Sequence, residues 1–264
     1  MPPSPGTYAL LTLSALAAGV INSLAGGGTL LTFSALVTVV PAVVANATST
    51  VALVPGSLAA AWGYRRDMRD MDHWAWLLIG PSLVGGIIGS LLVTRLAPKY
   101  FSATVPWLIL LATLLFLLQH LIVRLVGIGE EHAPPTRSKR ASLVLFQFFV
   151  AVYGGYFGAG IGILMLSALA LMGIKDIRQM NALKNFLAAC LNGVSVGVFA
   201  AEGKVEWHLA LSMAVAAITG GYLGARLGTG LNRDVVRWVV IGIGFGLTAY
   251  YFHRQWLGGY SENV

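Results

Sequence analysis

Residues 181–195 read Asn181-Ala182-Leu183-Lys184-Asn185-Phe186-Leu187-Ala188-Ala189-Cys190-Leu191-Asn192-Gly193-Val194-Ser195. The stretch is mostly apolar. Wound at 3.6 residues per turn, it still sets Asn181, Lys184, Asn185, Asn192 and Ser195 on one face. The same pattern stands 135 positions earlier, where Asn46, Ser49, Thr50 and Ser57 share a face and Thr48 points off it. Glycines keep the offset: Gly85, Gly86 and Gly89 recur as Gly220, Gly221 and Gly224. An oily chain that carries one polar stripe twice is the pattern of a transporter built from two repeats.

The composition agrees. Of the 264 residues 57% are hydrophobic and 10% charged, against roughly 25% charged in soluble domains. Several runs approach the ~20 apolar residues that cross a bilayer. A net charge of +7 reads as basic cytoplasmic loops, because no basic face or motif supports nucleic-acid binding. The one cysteine, Cys190, rules out an intrachain disulfide and a multi-cysteine metal site, and nothing calls for a cofactor. No basic residue precedes Arg65, unlike a cleaved signal peptide, so the first segment is expected to stay in the mature protein.

Ten apolar segments are predicted, at 7–24, 29–40, 45–62, 74–95 and 102–125, then 142–157, 161–173, 181–201, 208–228 and 234–252. The expected division is a first transmembrane repeat at 1–126, a cytoplasmic linker at 127–141 and a second repeat at 142–264. The linker holds Glu130, Glu131, Pro134, Pro135, Arg137, Lys139 and Arg140. Segments 29–40 and 161–173 are too short for a hydrocarbon layer of about 30 Å. Each follows a glycine-rich break: Gly26-Gly27-Gly28 in one copy, and Gly154 to Gly162 in the other. The pattern predicts half-helices that meet inside the membrane, spanning or re-entrant. Irregular backbone survives at that depth only when buried in protein or lining a cavity.

Five segments per repeat force the copies into opposite orientations. With the N-terminus outside, the inner side collects Arg65, Arg66, Arg69, Arg124, Arg137, Lys139, Arg140, Lys175, Arg178, Lys184, Arg226, Arg233 and Arg237. Arg95, Lys99, Lys204 and Arg254 remain outside. That bias follows the positive-inside rule for an inverted repeat with both termini periplasmic.

A helix starting near Gly28 or Gly162 offers free backbone N–H groups and the positive end of its dipole, which suits an oxyanion. Gly26, Gly27, Gly28, Gly158, Gly160 and Gly162 are therefore candidate binding positions. Asn22, Ser23 and Thr29 flank the first break as further donors. The stripes Asn46, Ser49, Thr50, Ser57 and Asn181, Lys184, Asn185, Asn192 should face the bundle interior, as a substrate pathway or as interhelical glue. Lys184 either draws an anion or snorkels to the headgroups. No Asp or Glu falls well inside a segment, so the carboxylate relay of a proton-coupled carrier is missing. The Gly85 and Gly220 clusters read as packing seams. Pro41, Pro55, Pro81 and Pro106 read as kinks, and Trp74, Trp76, Trp107, Trp207 and Trp238 as interfacial aromatics.

At these residues the chain resembles the TauE/SafE family, the sulfite exporter group. The resemblance rests on Ala18-Gly19-Val20-Ile21-Asn22-Ser23-Leu24-Ala25-Gly26-Gly27-Gly28, on Asn46-Ala47-Thr48-Ser49-Thr50, and on Tyr64-Arg65-Arg66. In the second half it rests on Gly154 to Gly162 and on Gly203-Lys204-Val205-Glu206-Trp207. It implies export of small sulfur-containing anions, sulfite or organosulfonates such as sulfoacetate, across a bacterial plasma membrane. Members are associated with sulfonate, sulfoacetate and taurine breakdown. The family often shows an Asn-Lys pair in the stripe. Here the second half has Lys184-Asn185, and the first has Ser49-Thr50 without the lysine.

The sequence thus predicts an all-α inverted-repeat membrane protein that exports a small anion by alternating access. An anion channel, or a carrier for a different small anion, stays open. An intramembrane enzyme lacks an acid, base, nucleophile or metal set. The expected partners are the anion and the lipid bilayer; a homodimer through a glycine seam is left open.

Overall fold

Each apolar run closes its own backbone hydrogen bonds, as hydrocarbon requires, and every element described in the computed structural model is an α-helix. The structure describes residues 4–24, 26–68, 72–126, 136–227 and 233–257. The linker residues 127–135, with Glu130, Glu131, Pro134 and Pro135, and also Ala25 and Arg69, lie outside the described residues.

In chain order the helices are α1 (Pro5–Leu24), α2 (Thr29–Leu36), α3 (Ala42–Gly63), α4 (Asp72–Arg95), α5 (Pro98–Leu117), α6 (Gln119–Val126), α7 (Arg137–Tyr156), α8 (Ile161–Leu171), α9 (Ile177–Ala201), α10 (Trp207–Leu227) and α11 (Arg233–Leu257). Six of them, α1, α3, α4, α5, α9 and α10, are long and apolar enough to cross a membrane. The segments follow the predicted ones with one correction. The run 102–125 is two helices, broken at Leu118. Polar Gln119, His120 and Arg124 end its apolar stretch and leave α6 with no buried residue.

Glycine decides how the long helices meet. Gly220 and Gly224 of α10 lie against Leu16, Val20 and Ser23 of α1, and Gly221 lies against Gly56 of α3. Gly85 and Gly89 of α4 lie against Ala151, Val152 and Tyr156 of α7, and Gly86 against Leu191 of α9. Both clusters are packing seams, as expected. They are filled within the chain, so neither presents a bare glycine face to a second copy.

The matched positions also give direction. Residues ascend together along α1 and α10, along α3 and α10, and along α4 and α7. Since α1 and α3 both run parallel to α10, the chain turns back between them through α2. α3 and α9 run antiparallel. Ala60 and Tyr64 at the end of α3 cluster with Ala182 near the start of α9, and Glu206, just past α9, donates its N–H to Thr48 Oγ1 near the start of α3 at 3.0 Å. Thr48 therefore points away from the stripe, as read from the sequence.

Pro55, Pro81 and Pro106 lie inside α3, α4 and α5, whereas Pro41 is the N-cap of α3. Trp76, Trp107, Trp207 and Trp238 are exposed. Trp74 is not: it is buried, with the Arg140 guanidinium over its ring.

Candidate functional site

α2 has 8 residues and α8 has 11, so they reach only about 12 and 16 Å along their axes. Both follow breaks that contain glycines in left-handed backbone, which no other residue adopts cheaply. Gly26 has φ 74°, Gly158 has φ 78°, and Gly160, the N-cap of α8, has φ 79°. Left-handed backbone of this kind costs an L-residue roughly 1–2 kcal/mol. The two breaks touch: a Cβ on Gly26 would fall 2.5 Å from Gly162 Cα.

Where they touch, a cavity opens, lined by Asn22, Gly26, Thr29, Ser57, Gly158, Ile161, Gly162, Met165, Lys184, Asn185, Ala188 and Asn192. About 30 Å³ of it is open to the centres of water molecules. One water needs ~10–15 Å³ on that measure, so the space suits roughly two waters or one small oxyanion. Its position along α9, from Lys184 to Asn192, is the middle of that helix.

Lys184 is the basic side chain on this wall. Its side chain is 1% exposed, which removes the snorkelling alternative and takes it out of the inner-face basic set. Nζ donates to Asn22 O at 3.0 Å, Ser23 O at 3.3 Å and Asn181 Oδ1 at 2.9 Å. All three acceptors are neutral oxygens, and two belong to the last turn of α1. An ammonium there satisfies orphan carbonyls and opposes the negative end of the α1 dipole. Asn185 Nδ2 donates to Ser23 O at 3.0 Å, so α9 clamps the first break with two adjacent side chains.

Asn22 ties the same break from the other side. Its Oδ1 accepts from Gly27 N at 2.9 Å and Gly28 N at 2.7 Å. This corrects the expectation of free N–H groups at Gly28, because a carboxamide six residues back already caps them. Only the NH2 end of Asn22 is left for the cavity. The offset position is Phe157, which cannot cap, and α8 begins at Gly160 without a side-chain cap bond. The N-terminus of α8, at Ile161 and Gly162, faces the cavity without such a tie. Asn22→Leu should strand two N–H groups and lower stability by about 1–3 kcal/mol for each, with Asn22→Asp largely rescuing it; a thermal melt of the purified chain reads this.

The stripes divide. Ser57, Lys184, Asn185 and Asn192 line the cavity, while Asn46, Ser49, Thr50 and Asn181 do not. Ser49 Oγ and Thr32 Oγ1 hydrogen-bond at 2.6 Å and join α3 to α2. Thr50 Oγ1 donates back to Asn46 O at 2.9 Å. Asn46 Nδ2 donates to Tyr156 O at 3.1 Å, and Ser195 Oγ donates to Gly86 O at 3.2 Å. Ser49, Asn46 and Ser195 thus tie neighbouring helices together, while Thr50 bonds back within α3. Ser23, Gly27, Gly28 and Gly160 also stand off the cavity. Ser23 serves through its carbonyl, Gly27 and Gly28 make room for the Phe116 ring and the α1 backbone, and Gly160 packs by Ala112 and Leu115.

Sequence reasoning missed the apolar wall of Ile161, Met165 and Ala188, which periodicity cannot separate from ordinary core. It also missed Tyr153, whose hydroxyl donates to Ala159 O at 2.7 Å and pins the second break. Among the described residues no group of His, Cys, Asp or Glu could hold a metal ion.

Apolar helices around a buried polar cavity make this an all-helical, multi-pass membrane protein. The chain belongs to the sulfite exporter TauE/SafE family, whose family model matches residues 11–251. It is 28% identical over 257 residues to a probable membrane transporter protein of Haemophilus influenzae, covering 94% of this chain and 95% of that one. It is 28% identical over 268 residues to the probable membrane transporter protein YfcA of Escherichia coli, covering 97% and 96%. A probable membrane transporter protein of Sinorhizobium, ORF9, is 28% identical over 266 residues, covering 95% and 96%. No solved structure matches the chain. It is a membrane transporter; its relatives carry transporter names, not enzyme names.

Proposed function

We propose that the chain exports a small sulfur-containing oxyanion, sulfite or a short organosulfonate, from the cytoplasm of a bacterium across the inner membrane. The observation that carries this is the buried Lys184 ammonium beside the N-terminus of α8 and the Asn185 and Asn192 amides. The Asn192 amide, the second N–H of Asn185 and the start of α8 suit a small monoanion, which the Lys184 charge attracts through space, its own N–H groups being held by Asn22 O, Ser23 O and Asn181 Oδ1. The apolar wall of Ile161, Met165 and Ala188 suits a short carbon substituent on it. The substrate class comes from the family description, with which this chemistry agrees.

The mechanism in this reading is alternating access between two inverted repeats, 1–126 and 142–264, with both termini periplasmic. The antiparallel pairing of α3 with α9 supports it, as does the exchange of partners in which α1 packs on α10 while α7 packs on α4. Opening would part the ends of α3 and α9. At one end sit Ala60, Tyr64, Ala182 and Ala225 under an Arg178–Asp67 ion pair of 3.3 Å. At the other sits an Arg95–Glu202 pair of 3.4 Å.

Proteoliposomes loaded with sulfite or ethanesulfonate test the reading. Flux should saturate and be accelerated by anion on the far side; linear flux without that acceleration would make the protein a channel. Asn185→Leu should lower flux about tenfold or more, the loss expected for a buried donor in a polar site. Thr50→Val, off the cavity, should stay within about twofold. Equal flux in the two variants would remove the cavity from the pathway.

A further inference from the structure

The offset of 135 that aligns the stripes also aligns their surroundings, and it exposes a cation present in one copy and replaced in the other. In one copy Asn181 Oδ1, Asn22 O and Ser23 O surround the Lys184 ammonium. They comprise one carboxamide oxygen from a stripe and two carbonyls from the end of the helix that precedes a glycine break. The counterpart of Asn181 is Asn46, and the helix end that Asn46 meets is that of α7, through the 3.1 Å bond from its Nδ2 to Tyr156 O. The counterpart of Lys184 is Ser49, whose hydroxyl is turned to Thr32. The stripe of this copy carries no lysine.

Asn46 is 1% exposed, and its Oδ1 is a buried acceptor with no hydrogen-bond partner among the described residues. Exchanging the amide O and N does not mend this, since it would turn an oxygen onto the Tyr156 carbonyl. An unsatisfied acceptor at membrane depth is costly, and its twin in the other copy is satisfied by a positive charge. Asn46 Oδ1 is a hard, neutral oxygen, and its amide meets the negative end of a helix that stops inside the bundle, at Tyr156 O. Such half-helix ends are where carriers coordinate small cations, and oxygen donors select hard ones.

We propose that Asn46 Oδ1, with the terminal carbonyls of α7 around Tyr156, forms a Na+ site that couples cation to anion. Na+ there does for the second break what the Lys184 ammonium does for the first. The coupling is local: Gly158, Ile161 and Gly162, just past the α7 end, line the anion cavity. A cation that fixes this turn fixes that wall and adds a second positive charge to it. The proposal rests on the transporter reading.

The test is thermal unfolding of the purified full chain in lipid nanodiscs, in NaCl or choline chloride at equal ionic strength, with and without sulfite or ethanesulfonate. In the wild type Na+ should raise the unfolding temperature saturably and tighten the half-maximal anion concentration about tenfold, a usual coupling between two sites. Asn46→Leu should lose both Na+ effects and Asn46→Asp should keep them. Identical wild-type curves in NaCl and choline chloride would overturn the proposal even if Asn46→Leu fails to fold, and so would a wild-type Na+ response in Asn46→Leu. If Na+ alone does not stabilise and anions stabilise equally in both salts, the Na+ site falls and the anion-carrier reading stands. If Na+ stabilises and none of the anions does, the substrate reading falls and the Na+ site stands.

Discussion

Lys184→Met is expected to cut anion flux in proteoliposomes by about a hundredfold or more. Leaving two helix-end carbonyls and one amide oxygen unpaired in a buried site costs roughly 1–3 kcal/mol for each, and each 1.4 kcal/mol is tenfold. Two roles of this side chain contribute and can be separated. One is structural: Nζ holds Asn22 O and Ser23 O, so methionine leaves the end of α1 with unpaired carbonyls in a dry site. The other is electrostatic, since the ammonium is the charge on the cavity wall. Lys184→Met should therefore melt lower than the wild type and also lose the stabilisation that sulfite gives it. A variant that melts lower yet responds to sulfite as the wild type does would confine Lys184 to the structural role. Lys184→Arg keeps the charge but not the shape. A planar fork does not fit three acceptors placed around a point, so partial flux with weakened anion response is expected.

The sequence showed that these residues belong together, but not which of them face one another. Periodicity placed Asn46, Ser49, Thr50 and Ser57 on one face, and the face exists. A helix in a bundle nevertheless meets several neighbours along its length. The face of α3 is glue against α2 and the end of α7 in its first turns, and cavity wall only near Ser57. The face of α9 stays on the cavity from Lys184 to Asn192. Spacing within a segment cannot see that division, which depends on where the other helices end. The glycines were more legible. Their dense clusters before two short segments left few alternatives, and the seams at Gly85 and Gly220 fit because a glycine, having no Cβ, lets the backbone of the neighbouring helix come close. Polarity around Gln119 could have divided 102–125, since three polar residues within six positions end an apolar run. The capping by Asn22 could also have been anticipated, because a carboxamide a few residues before a run of glycines is a ready acceptor for their N–H groups. The apolar lining could not, because Ile161 and Met165 look like core until a cavity is found beside them.

Gly26→Ala should be among the most damaging single substitutions. The added Cβ would sit 2.5 Å from Gly162 Cα and 2.9 Å from Gly162 N. Both are backbone atoms of a helix start that cannot rotate away. Left-handed φ at Gly26 adds roughly 1–2 kcal/mol and overpacking typically 1–3 kcal/mol, so the loss is about 3 kcal/mol or more, a large share of a typical folding stability. The expected readings are loss of the monodisperse peak in size-exclusion chromatography, or a much lower melting temperature if it survives. Gly193→Ala is the matched control. It lies inside α9 with nothing within 4 Å of the new Cβ, and there alanine should stabilise by roughly 0.5–1 kcal/mol. The contrast isolates contact from helix propensity. It also reaches the site, because Gly26 and Gly162 are where the two breaks meet and both line the cavity. Pushing them apart moves Asn22 and Thr29 away from Gly158 and Ile161. Any Gly26→Ala protein recovered intact should therefore also bind anion more weakly, whereas Gly193→Ala should bind as the wild type does. If Gly26→Ala melts and binds like the wild type, the two breaks do not touch in the membrane and the cavity between them is not the site.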